Sequence, residues 1–181
     1  MTAKPTGYAV LLRAVNLGSH NKVAMPKLRE LLAERGYPDV QTYVQSGNIV
    51  LSGTSPAAVE ADVVAALRDG FGLDIEVMIR SRADLAKVVK GNPFLEPAED
   101  PTRVHVNFLA AQPAKDKVAA LDPEEFDPER FAVGDRCLYQ FYPGGFGRSK
   151  MAAAPWERRL GVRGTNRNWR TVTALLDMLD R

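Results

Sequence analysis

The stretch VRGTNRNWRTV, Val162–Val172, gathers Arg163, Arg167 and Arg170 with Asn166, Asn168 and Thr165 around Trp169, just ahead of a leucine-rich run. Guanidinium and amide groups at the mouth of a helix suit one task above others, the holding of negative charge. A helix N-terminus presents unpaired N–H groups and the positive end of its dipole to a phosphate or carboxylate. Arginine adds charge-assisted hydrogen bonds. A second stretch, PGGFGRSK (Pro143–Lys150), sets Arg148, Ser149 and Lys150 beside glycines whose backbone amides can form an anion nest. The N-terminal half has its own polar, glycine-bearing segments, NLGSHNK (Asn16–Lys22) and QSGN (Gln45–Asn48), with Arg13 just before them.

Other chemistries fail on spacing. PGGFGRSK is not a phosphate-binding P-loop, because Tyr142 stands five before Gly147 and Arg148 occupies the lysine position. No G-x-G-x-x-G follows the first strand, so a dinucleotide site is not supported. The two histidines, His20 and His105, have no metal-ligand spacing, and Cys137 is the single cysteine. No metal and no cofactor are expected. Neither histidine accompanies a G-x-S-x-G elbow. His20, in a polar loop, is the better acid–base candidate, while His105 alternates with valines and reads as structural.

These residues need elements to position them. YAVLLRAV reads as a buried strand, PKLRELLAERG as a helix entered at Pro26 and stopped at Gly36, and VQTYVQ and NIVLSG as a hairpin around Ser46-Gly47. SPAAVEADVVAALRDGFG is a helix capped by Ser55, DIEVMIRS a strand, and RADLAKVVKGN a short helix. After NPFLEPAEDPT the order returns. RVHVNFLAA is a strand, KDKVAAL a short helix, and RFAVGDR with CLYQFYP a hairpin. SKMAAAPWERRLG is helical in character with Pro155 ending or kinking it, GVRGTN a strand, and WRTVTALLDMLDR an amphipathic helix.

Each half therefore reads βαββαβ plus a helix. This predicts an α+β protein of two tandem ferredoxin-like subdomains, antiparallel sheets with helices on one face. The expected divisions are residues 1–92, a Pro/acid-rich connection over 93–102, and residues 103–181. The split order puts the loop after the first strand and the central hairpin at one end of each unit. The loop after the third strand and the end of the fourth share the other end.

Composition bounds the function. With 45% hydrophobic and 25% charged residues the chain is globular. No apolar run nears the roughly 20 residues of a membrane span, and no signal-like h-region opens the sequence, so a soluble cytoplasmic protein is expected. The net charge of +2 is too small to imply nucleic-acid binding, but its distribution is uneven. Residues 93–143 carry five Lys/Arg against ten Asp/Glu, and residues 144–181 eight against three.

LLRAVNLGSHNKVAMPKL, YVQSGNIVL, NPF, LY followed by YPGGFGRSK, and LGVRGTNRNWRTV occur in that order across nearly the whole chain. Together they resemble the bacterial family DUF1697, a domain of unknown function. The resemblance implies an α+β fold and brings no activity, cofactor or catalytic residue with it.

The residues thus point to a protein that binds a phosphate-bearing or otherwise anionic small molecule. The expected contacts are Arg13, Asn16, Lys22, Ser46 and Asn48 in one half, and Arg148, Ser149, Thr165, Asn166 and Arg167 in the other. A nucleic-acid binder using the basic 144–181 stretch is the alternative, although no strand carries the aromatic pattern of an RNA-recognition module. An enzyme using His20 is a third reading.

Overall fold

The computed structural model describes residues 5–95 and 100–181; part of the expected 93–102 connection therefore lies outside the described residues. The first repeat of the βαββαβ order comprises β1 (Thr6–Leu12), α1 (Met25–Glu34), β2 (Gln41–Tyr43), β3 (Asn48–Gly53), α2 (Pro56–Phe71) and β4 (Val77–Ser81), followed by α3 (Arg82–Gly91). The second comprises β5 (Val104–Leu109), α4 (Lys115–Ala119), β6 (Arg130–Gly134), β7 (Cys137–Phe141), α5 (Trp156–Leu160) and β8 (Gly164–Asn168), followed by α6 (Trp169–Leu179). Both four-stranded sheets are antiparallel, ordered β2-β3-β1-β4 and β6-β7-β5-β8, as the split βαββαβ reading requires.

The chain divides into two compact units, residues 1–86 with 174–181 and residues 87–173, so the divisions fall inside α3 and α6. In the first unit Val10, Leu12, Ile49 and Leu51 form one sheet face, which packs with Leu28 and Leu32 of α1 and Val59, Val63 and Leu67 of α2. Truncating a fully buried leucine such as Leu32 to alanine costs on the order of 2–5 kcal/mol. In α2, Ser55 Oγ accepts from Ala58 N at 3.2 Å, Pro56 starts the helix where no N–H is needed, and Gly72 closes it at φ 66°.

In the second unit Leu138, Tyr142 and Leu109 pack with Met151, Trp156 and Leu160. One local expectation changes here. The SKMAAAP segment is not the front of a helix interrupted by Pro155: residues 149–154 turn, and α5 begins at Trp156 with Pro155 as its cap. Proline lacks the N–H that a helix interior must donate but loses nothing at a helix entrance.

Candidate functional site

In the first unit most of the expected polar contacts shape the loop end itself. Asn16 Oδ1 accepts from Val23 N at 2.8 Å, and its Nδ2 donates to Val23 O at 2.9 Å and to Gln45 O at 2.7 Å. This amide ties the loop after β1 to the β2–β3 hairpin. Asn48 Nδ2 donates to Ser46 Oγ at 2.8 Å and Tyr43 O at 3.0 Å, fixing the hairpin from inside. Left-handed backbone at Ala14, Asn16, Asn21 and Val44 shows how sharply this end is folded. Lys22 is exposed, and Arg13 is half-buried, with its backbone N–H on Glu76 O at 3.0 Å.

In the second unit the alternation of β8 separates the expected residues. Thr165 and Arg167 lie on one face, and Asn166 on the other. Arg167 is 6% exposed; its Nη1 donates to Thr165 Oγ1 at 2.7 Å and Asn166 O at 2.8 Å, and burial pushes its guanidinium down to about 10. Ser149 Oγ accepts from Ala152 N at 2.9 Å. Arg148 and Lys150 line a hollow of about 390 Å³ together with Glu125, Asp127 and Glu129. Asn168 Oδ1 accepts from Thr171 N at 2.9 Å and caps the first turn of α6.

Asn166 belongs to a different constellation. On the helix-covered face of the second sheet, β5, β7 and β8 bring Asn107, Gln140 and Asn166 side by side, since Asn107 pairs with Asn166 and Gln140 with His105. The three amides line a hollow of about 520 Å³ walled by the aromatic rings of Tyr142, Phe146 and Trp156, with Glu157, Arg158 and Gly164 also lining it. Such a volume, largely apolar with a few convergent polar groups, matches the general form of a small-molecule site.

The amides are deeply set. Asn107 is 8% exposed and Gln140 1%. Asn107 Oδ1 and the Tyr142 hydroxyl are fully buried without a hydrogen-bond partner among the described residues. A buried polar atom left unpaired costs about 1–3 kcal/mol, so their presence in one hollow needs a reason. Burial, and then the charge of Glu129, push the Tyr142 hydroxyl up, so it is a neutral O–H. Gly164 is fitted to Asn107: a Cβ there would come within 2.4 Å of Asn107 Oδ1. Glu157 Oε1 accepts from Gly164 N at 3.2 Å, which sets a carboxylate against the same glycine.

His105 stands behind the amides. Its Nδ1 is 2.6 Å from Asn166 Oδ1 and its Nε2 3.1 Å from Thr102 O, while Asn166 Nδ2 donates to Gln140 Oε1 at 2.9 Å. Phe146 stacks on the imidazole, centroids 4.5 Å apart at 7°. Asn166 Oδ1 and Thr102 O are both acceptors, so a neutral ring donates to one of them and a charged ring to both. An imidazolium would donate from both nitrogens. Burial lowers the His105 pKa against the opposing pull of its Asn166 and Thr102 hydrogen bonds, and so favours the neutral ring.

Reading the sequence for cationic loops missed Asn107, Gln140, Tyr142, Trp156, Glu157, Arg158 and Gly164. A signal was available in the polar members of the apolar alternation, His105 and Asn107 in RVHVNFLAA and Gln140 in CLYQFYP. Among the described residues no three His, Cys, Asp or Glu side chains converge as a metal ion would need. No helix among them is long and apolar enough to cross a membrane.

Fold and site together define a duplicated ferredoxin-like α+β protein with an amide-floored hollow in its second unit. The chain belongs to the family described as a protein of unknown function, DUF1697, whose profile matches residues 6–139. That match includes Asn107 and stops just short of Gln140 and the pocket residues after it. A conserved bacterial protein from Streptococcus pneumoniae has a similar solved structure, with 22% identity, coverage of 97% of this chain and 99% of that one, and a TM-score of 0.74. At that identity the likeness shows the fold alone. A comparison with curated proteins finds no match.

Proposed function

We propose that the protein binds an anion-bearing small molecule in the hollow of its second unit. The planar part of the ligand lies among Tyr142, Phe146 and Trp156, its inner edge meets the amides of Asn107, Gln140 and Asn166, and its charged group reaches the exposed Arg158. The observation that carries this reading is the buried, unpartnered Asn107 Oδ1 in a cavity of ligand size. A ligand satisfies such a group where the fold does not. Asn166 is the one contact retained from the cationic-loop expectation; Arg158 takes the part first sought in Arg148 and Arg167.

Native mass spectrometry of the protein purified from the cells that make it tests the proposal. The expected result is a retained small mass that leaves on denaturation and is absent from Asn107→Val prepared in parallel. A bare protein mass in both preparations, or the same adduct in both, contradicts it.

A further inference from the structure

Resting on the reading above, that this hollow takes a small ligand, we infer that the ligand's inner edge is a hydrogen-bond donor: the amino group or ring N–H of a planar heteroaromatic, as on an adenine-type base. The groups around the floor set this polarity. Asn107 Oδ1 is an acceptor with no donor among the described residues. The Glu157 carboxylate is held against the same glycine, through Gly164 N at 3.2 Å.

A phosphate or carboxylate set against Asn107 would meet the lone pairs of its Oδ1. A donor edge would complete them. The anionic end of the ligand therefore belongs with Arg158 and its ring with the aromatic walls, the combination by which enclosed pockets read a base: hydrogen bonds to one edge and stacking on the faces. Asparagine and glutamine amides suit such an edge because each offers a donor and an acceptor in one plane. Gly164 keeps the geometry open, since any Cβ would push into Asn107 Oδ1.

Calorimetric titration with three probes tests the inference: adenosine monophosphate, the purine riboside monophosphate that lacks only the amino group, and inorganic phosphate. The expected result is roughly tenfold or greater preference for adenosine monophosphate over its amino-free analogue, the size of one buried acceptor left unsatisfied. Inorganic phosphate binds far more weakly than either. Asn107→Val abolishes the preference, Gly164→Ala does so by a second route, and Arg158→Ala weakens both nucleotides alike. Equal affinity for the two nucleotides, or a preference that survives in both Asn107→Val and Gly164→Ala, overturns the donor-edge inference and leaves the pocket standing. Phosphate binding as tightly as adenosine monophosphate, or binding of neither nucleotide, also overturns it. In the last case an Asn107-dependent adduct of other chemistry in the native mass spectrum would show that the pocket reading itself survives.

Discussion

The two units place different chemistry on the same scaffold positions. Leu12 N donates to Gly47 O and Leu109 N to Arg136 O, while Arg13 N donates to Glu76 O and Ala110 N to Arg163 O; these matched bonds fix one strand register onto the other. Through the pairings, Val10 corresponds to Asn107, Tyr8 to His105, Leu51 to Gln140 and Ile79 to Asn166. The first unit fills these helix-facing positions with side chains of its hydrophobic core, and the second fills them with two asparagines, a glutamine and a histidine. Backbone geometry does not ask for amides there, because the same ladder folds over hydrocarbon. What the difference teaches is that the polar floor is an addition to the fold, retained against its desolvation cost.

The opposite faces agree instead. Arg80 and Arg167 occupy corresponding positions, both are buried, and each sends Nη1 to the carbonyl of the preceding residue, at 3.0 Å and 2.8 Å. An arginine repeated in both units with the same bond belongs to the shared scaffold. The duplication thus sorts residues by role: agreement marks what the fold needs, and disagreement marks what one unit does.

The largest effect is expected from moving the polar chemistry into the wrong unit. Val10→Asn buries an amide in a hydrophobic core and should cost about 3 kcal/mol of unfolding free energy in urea titration. A cost within a few tenths of zero would mean that the position tolerates amides in either unit, and the contrast would lose its meaning. Gly164→Ala comes next. Its Cβ collides with Asn107 Oδ1, so it should destabilise by about 1–3 kcal/mol. Most of that cost should vanish when Asn107 is shortened to alanine in the same chain; additive costs in the double-mutant cycle would place the clash elsewhere.

A smaller effect follows from His105, whose counterpart in the first unit is Tyr8. Burial holds the folded-state pKa below the ordinary value of 6.5. The unfolded chain therefore binds the proton first. The contribution is fully present above pH 6.5 and is lost as pH falls from there through the lower folded value. In His105→Gln that part of the acid limb of the stability profile should disappear. An unchanged limb would mean that other groups produce it.

Much of the architecture was legible in the sequence. Val/Leu runs, Pro26 and Pro56 at helix starts, Gly36 and Gly72 at helix ends and the Ser46-Gly47 turn specify the first repeat, because each acts through local backbone preference. The site was less legible. Alternation shows that His105 and Asn107 share a face, but a polar face on an antiparallel strand ordinarily meets water. Only tertiary structure shows that here it lies under α5 and the 149–154 turns. The same limit applies to β8, where Asn166 and Arg167 are neighbours in sequence and point to opposite faces. Asn16 and Asn48 carried the right chemistry for a ligand, yet much of it goes into holding loops, a use visible only once their carbonyl partners are placed.

The most direct test is the unfolding free energy of Asn107→Val without ligand, which installs the first unit's residue in the second. If the amide is kept for a ligand, the variant gains about 1 kcal/mol, since an unsatisfied buried oxygen is replaced by hydrocarbon. A loss of 1 kcal/mol or more would contradict the account, because Asn107 would then be holding up the fold.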